Sequence, residues 1–259
     1  MKKSIVAAAV VLSIALWTVP ADAGLGVKVR GGYTHIGYGD FNDYVEAANV
    51  SLAGIAEMEK IDWLPEVSAE FTFSVLPTFT AGVGIGYLKG TSKFSFGLGG
   101  DELSYEHSVR AVPLTATAYW EPPLVGLHPY VFGGVGMYHT KLFFSQAVTV
   151  GGDMASYEAD LTKWGFGLHG GAGMRFEIVP TVGLDVGVYG RWASISGFEG
   201  TATNQDGDSY DAYLVRDTVE DPVSGEVDYY GPWPTGDSYD EGTVDLSGFT
   251  IFIGVTVGF

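Results

Sequence analysis

Five histidines are the residues best suited to acid–base chemistry: His35, His107, His128, His139 and His169. Nucleophilic catalysis needs such a base beside a nucleophile, with a third group to orient it. The closest pairing is His107 with Ser108. Both lie in a run of alternating residues, and neighbours on a strand point to opposite faces, so the two are not expected to meet. His169 sits among glycines and is expected to hydrogen-bond inside a polar interior. The chain has no cysteine, which removes thiol and disulfide chemistry. The sequence therefore predicts a protein that is not an enzyme and takes no cofactor.

Two further groups of residues suit binding or structure. "NQDGDSYD", Asn204 to Asp211, offers Asp206, Asp208 and Asp211 as oxygen ligands for a hard divalent cation such as Ca²⁺. It lacks the spacing and final Glu of an EF-hand loop. The other group is Lys28, Arg30, Glu66, Glu70, His169, Arg175, Glu177, Asp185 and Arg191, scattered through the chain. What gathers them is the period of the segments that carry them.

Eight alternating segments recur: Gly26–Ile36, Glu66–Leu76, Thr78–Gly90, His107–Trp120, Tyr130–Phe144, Lys163–Val179, Thr181–Ser194 and Gly248–Phe259. The first, third, fifth and seventh connections are long and the others short. In an up-and-down arrangement this places every long loop at one end and every tight turn at the other. In the sixth segment Trp164, Phe166, Leu168, Met174, Phe176 and Ile178 share one face, and Lys163, His169, Arg175 and Glu177 share the other. The first, second and seventh repeat the pattern, with Lys28, Arg30, Glu66, Glu70, Asp185 and Arg191 on the polar face. A cation facing the bilayer midplane costs roughly 2–4 kcal/mol, so the apolar face is assigned to lipid and the charged face to a lumen. By the same reasoning His139 and Lys141 are expected to point inward. The prediction is an all-β protein: an eight-stranded antiparallel up-and-down transmembrane β-barrel, in which every backbone group finds a partner because the sheet closes.

The ends agree. Lys2 and Lys3 precede an apolar run from Ile5 to Trp17, then "ADA" at Ala21–Ala23. The run is shorter than the roughly 18 residues of a membrane helix, so residues 1–23 read as a cleaved signal peptide and 24–259 as the barrel domain. The formal charge is −18, and removing Lys2, Lys3 and Asp22 leaves about −19. So acidic a chain repels phosphate backbones, which argues against nucleic acid as a partner.

"PYVFGGVGMY", Pro129–Tyr138, and the final alternating strand ending in Phe259 resemble the small Gram-negative outer-membrane barrels of the OmpA, OmpX and OmpW type. The resemblance implies location in the outer membrane, contact with its lipid and lipopolysaccharide, long extracellular loops, and a last strand read by the barrel assembly machinery. Lipid-A-modifying barrels would want His and Ser two apart on the lipid side, and outer-membrane proteases a ten-strand barrel; neither pattern is found.

An eight-strand barrel is just wide enough for its own side chains. The nearly equal signs of the lumen charges predict a paired, plugged interior. Two long loops stand out. In the first, Phe41, Tyr44, Val45, Ala48, Leu52 and Ile55 follow helical steps within 40–60, with Asp40 or Asn42 as a cap. A short helix over the barrel mouth is expected, as a lid or as a gate for an apolar ligand. The last long loop, 195–245, is acidic and rich in Tyr, which suits an extracellular ligand or bridging divalent cations. The favoured function is a non-enzymatic structural or surface-interaction protein with a plugged lumen. The alternatives are a narrow porin-like channel for small or hydrophobic molecules and a lipid-A-modifying enzyme.

Overall fold

The computed structural model describes residues 24–51, 57–124, 128–217, 229–234 and 240–258. Leu52, Ile55, residues 1–23 and Phe259 lie outside these. Eight strands close a ring: β1 (Leu25–Ile36), β2 (Trp63–Leu76), β3 (Phe79–Leu98), β4 (Asp101–Trp120), β5 (His128–Val150), β6 (Asp153–Val179), β7 (Val182–Trp192) and the last strand, β14 (Gly248–Gly258). Every pairing is antiparallel. Stepping from Leu25 to Phe73, Ala81, Ala118, Gly133, Gly170, Gly190 and Phe249 returns to β1 at His35, ten residues up the strand. That stagger is the tilt a closed barrel requires.

The lipid-facing alternation holds around the ring. Val29, Val67, Ile85, Val135, Leu168, Val188 and Ile253 are exposed on the outer face, while Lys28, Glu66, Glu70, Asp185 and Arg191 are buried inside. Aromatic residues mark both edges of this belt, with Phe79 and Trp120 at the turn end and Trp63, Tyr87, Trp164 and Trp192 at the loop end.

The strands on one side run far past the belt. β6 has 27 residues and β5 has 23, whereas a crossing needs only about 9–11. The β3–β4 and β5–β6 connections, expected as medium loops, are instead tight hairpins. Gly99–Gly100 (φ 66° and 103°) and Gly151–Gly152 (φ 60° and 94°) supply the two positive φ angles that such a turn needs.

The shorter strands on the other side are topped by the last long loop. After β7 the chain forms β8 (Ser194–Ser196), β9 (Glu199–Asn204), β10 (Ser209–Asp217), β11 (Tyr229–Trp233), β12 (Asp240–Glu241) and β13 (Thr243–Asp245). β9 takes over from β7 as the neighbour of β6: Leu168 pairs with Trp192, but Leu161 pairs with Gly200. The wall thus continues upward through β9, β10 and β11.

Inside this wall lies helix α1 (Gly39–Ser51). The chain enters it from β1 through a left-handed turn at Tyr38 and Gly39 (φ 51° and 41°). Tyr38 tolerates that strained backbone because its ring is fully buried and its hydroxyl meets His107 Nε2 at 2.9 Å. Phe41 and Val45 are fully buried and Tyr44 partly so, so the predicted apolar face is real and points into the mouth. The expected caps serve other ends. Asp40 accepts from Arg216 Nη1 at 2.8 Å and from the Thr243 amide at 2.9 Å, tying α1 to the last loop. Asn42 bonds the carbonyls of Gly37 and Ile61 and the Ile61 amide, holding the return strand.

The placement of His139 and Lys141 inward is overturned. Tyr138, Leu142 and Phe144 on β5 are the buried, inward residues. His139 packs on Trp164 outside, and Lys141 pairs with Asp160 at 2.8 Å on the outer wall. The premise that an outward cation must meet lipid fails because β5 has already left the membrane at that height.

Candidate functional site

The lumen residues arise from the inward positions of β1, β2, β4, β6, β7 and β14, and they sort into three tiers. In the upper tier Glu66 is the hub. It accepts from Thr34 Oγ1 at 2.5 Å, Tyr189 Oη at 2.6 Å and Thr250 Oγ1 at 3.3 Å, and pairs with Arg191 Nη1 at 3.4 Å. Arg191 also donates from Nε to the Leu246 carbonyl at 3.1 Å. In the middle tier Arg30 Nη2 reaches Glu70 Oε2 at 3.4 Å and Tyr119 Oη at 2.6 Å, and Tyr119 in turn donates to Glu70. In the lower tier Arg175 bridges Glu121 at 3.2 Å and Asp185 at 3.6 Å, and Asp185 accepts from Thr256.

Eight of the nine predicted lumen residues join these tiers or the aromatic filling between them. Among the described residues Lys28 has no carboxylate at salt-bridge distance. Its ammonium lies 3.6 Å from the Tyr119 ring centre and 5.0 Å from that of Tyr130, a cation–π site. His169 meets Thr117 at 3.1 Å and its ring lies 6.5 Å from those of Phe132 and Tyr189, within the aromatic filling. Glu177 is a correction: its side chain is 58% exposed, 3.7 Å from His128 at the turn-end rim. It sits on the inward phase of β6, but so close to the strand's end that water rather than the lumen surrounds it.

An aromatic plug was missed from the sequence. Tyr119, Tyr130, Phe132 and Phe252 form a buried cluster with Tyr189 against it. Arg30 stands 5.0 Å from the Phe252 ring and 5.6 Å from that of Phe132. Glycines on the facing strands make room: a Cβ at Gly173 would come within 2.5 Å of the Tyr130 ring. The signal was available in the alternation, where Thr115, Thr117 and Tyr119 share the inward face of β4 and Tyr130 and Phe132 that of β5. A cavity of about 50 Å³ lies among these groups, lined by Arg30, Glu66, Glu70, Thr117, His169 and Arg191. That volume has room for a few waters.

Above the lumen the contents change from polar to apolar. Leu64, Leu88, Val109, Leu142, Leu161, Phe198 and Leu214 are fully buried around α1. His107 lies in this core between Phe41 and Phe144, with ring centres 4.4 and 4.3 Å away. Burial pushes its imidazole down to about 3. It therefore stays neutral, with Tyr38 as its partner. A second cavity, of about 170 Å³, is lined by Tyr44, Met58, Phe94, Leu103, Tyr105 and Phe144.

The acidic loop does not gather the expected cation ligands. Among the described residues no three of His, Asp and Glu converge in a way that could hold a metal. Asn204 Oδ1 instead accepts from the amides of Asp206 and Asp208 at 3.0 and 2.9 Å, shaping the β9–β10 turn. This leaves Asp206, Asp208 and Asp211 exposed to water.

No protein-family model matches the sequence, and no curated protein does. Among solved structures, a major outer membrane protein from Thermus thermophilus is similar at 12% identity, covering 92% of this chain and 100% of that one, with a TM-score of 0.47. The outer membrane protein OprG from Pseudomonas aeruginosa is similar at 13% identity, 90% and 95% coverage and a TM-score of 0.43. The outer membrane protease OmpT from Escherichia coli is similar at 9% identity, 92% and 95% coverage and a TM-score of 0.39.

Proposed function

We propose that this chain is a solute-tight, non-enzymatic barrel of a Gram-negative outer membrane that holds a rigid β-walled platform above the outer leaflet. The observation that carries the reading is the lumen filled by the charged tiers and the aromatic plug, with a cavity of about 50 Å³ among them. The apolar core around α1 closes the mouth as well. The non-enzymatic part rests on the histidines: His107, His128 and His169 are each engaged by a side-chain partner, and His35 and His139 pack against outward aromatic rings. The platform is the raised wall of β3–β6 with β9–β11, tied to α1 through Asp40 and Arg216.

Planar-bilayer recording of the refolded protein tests it. No steady conductance is expected, with folding verified by heat-modifiable gel mobility; discrete, reproducible openings would overturn the proposal. A second reading, a site for a small apolar molecule, rests on the cavity of about 170 Å³ beneath α1, large enough for a ring the size of benzene. Fluorescence titration with such a molecule, compared with a Phe94→Trp variant that fills the cavity, separates the two.

A further inference from the structure

The outer wall carries a row of cations that the lumen does not explain. Lys89 on β3 lies directly opposite Arg110 on β4, and Arg110 directly opposite Lys141 on β5. All three occupy outward positions. Like charges directly opposite each other destabilise a strand pair, yet three occur side by side in a chain with only 13 Lys and Arg and a net charge of −18. Lys141 has Asp160 at 2.8 Å. Lys89 and Arg110 have no ion-pair partner among the described residues, whereas Lys93, the next cation along β3, is neutralised by Glu106 at 2.9 Å.

Their height is the second observation. Lys89 stands two residues above Tyr87, which is exposed in the lipid-facing belt. Lys141 stands two residues above His139, which packs on Trp164. The row is therefore the first outward position above the aromatic collar, the depth at which lipid headgroups sit. Three strands spaced about 4.8 Å apart spread the charge over roughly 10 Å. That span suits a headgroup bearing more than one phosphate, and Arg110 can grip one of them with two parallel N–H bonds.

We infer that Lys89 and Arg110, flanked by Lys141 in its pair with Asp160, form a binding site for the phosphates of a lipid-A-type glycolipid in the outer leaflet. The inference rests on the proposed orientation, with the loop end outside. The chain's overall negative field repels free anions, so the acyl chains along the belt hold the headgroup against the row.

Native mass spectrometry of the refolded full chain in neutral detergent tests this. The added probes are bisphosphorylated lipid A, phosphatidylglycerol and inorganic phosphate. One lipid A is expected to be retained in preference to phosphatidylglycerol, with binding weakened by salt. Each cation lost is expected to weaken it about fivefold, and Lys89→Gln with Arg110→Gln together by about 25-fold. Lys93→Gln leaves binding unchanged. Equal retention of phosphatidylglycerol, displacement by millimolar phosphate, salt-insensitive binding by the wild type, or full binding by the double variant would each overturn the site. Because both side chains are exposed, the variants are expected to keep their heat-modifiable mobility, and the salt series needs no variant. Conductance would sink the closed-lumen reading without touching this one.

Discussion

Replacing Glu66 with Ala should be among the most damaging single changes in the barrel. Glu66 is 6% exposed, and Arg191, its ion-pair partner at 3.4 Å, is 2% exposed. The substitution leaves a guanidinium buried with no carboxylate beside it, held by the Leu246 carbonyl and the Tyr138 side chain. Removing one member of a buried pair costs roughly 3–5 kcal/mol. Thr34, Tyr189 and Thr250 also lose their acceptor, but Thr34 and Thr250 lie 2.8 Å apart and can satisfy each other. The expected loss is therefore about 3–5 kcal/mol rather than the sum of every broken bond. Urea unfolding in lipid vesicles, followed by tryptophan fluorescence, measures it. A double-mutant cycle with Arg191→Met isolates the pair, and the double variant should be more stable than the two single losses added together, by about 1–3 kcal/mol. A loss below about 1 kcal/mol, the range of exposed pairs, would refute the reasoning. It would mean that water reaches Arg191 and that the upper tier is a wet path.

Two further predictions concern the mouth. His107, held near 3 in the fold, takes up a proton in the unfolded chain first, at its ordinary value of about 6.5. Stability is therefore complete above about pH 6.5 and falls as pH drops towards 3, by about 2 kcal/mol at pH 5. Urea midpoints at pH 7.5 and 5 should show this slope, and His107→Phe should flatten it. Asn42→Ala removes the bonds to Gly37, Ile61 and Asp62 and leaves the buried Ile61 amide unpaired. A cost of about 2–4 kcal/mol should appear as faster tryptic cleavage after Lys60, with the barrel's gel mobility unchanged.

The ring itself was legible in the sequence because every crossing strand alternates and β1, β2, β6 and β7 each show one apolar and one polar face. That pattern also identified Lys28, Arg30, Glu66, Glu70, Arg175, Asp185 and Arg191 as lumen residues. Their partners were not legible, since pairing depends on register and tilt. Lys28 lies directly opposite Glu70 in the ladder, yet its ammonium rests over Tyr119, and Arg30 takes the carboxylate. Two inward side chains two residues apart compete for one acid, and the guanidinium also bonds Tyr119 Oη.

The height of the wall was hidden for a different reason, which also accounts for the misplaced His139 and Lys141. Within the membrane the outward face is apolar and the lumen polar; above it the outward face meets water and the interior holds α1. The alternation must therefore change phase where each strand leaves the lipid. On β3, Ile85 and Tyr87 point out while Leu88 and Phe94 point in; on β5, Val135 and Met137 point out while Leu142 and Phe144 point in; on β6, Trp164 and Phe166 point out while Ala159 and Leu161 point in. Read with a single phase, such a strand stops at the change, and the rest becomes loop. Read with two, the apolar register passes from one face to the other between Tyr87 and Leu88, and between Met137 and Leu142. These breaks locate the upper edge of the membrane from sequence alone. Lys89, Arg110 and Lys141 stand at that edge, in water yet within reach of the lipid headgroups.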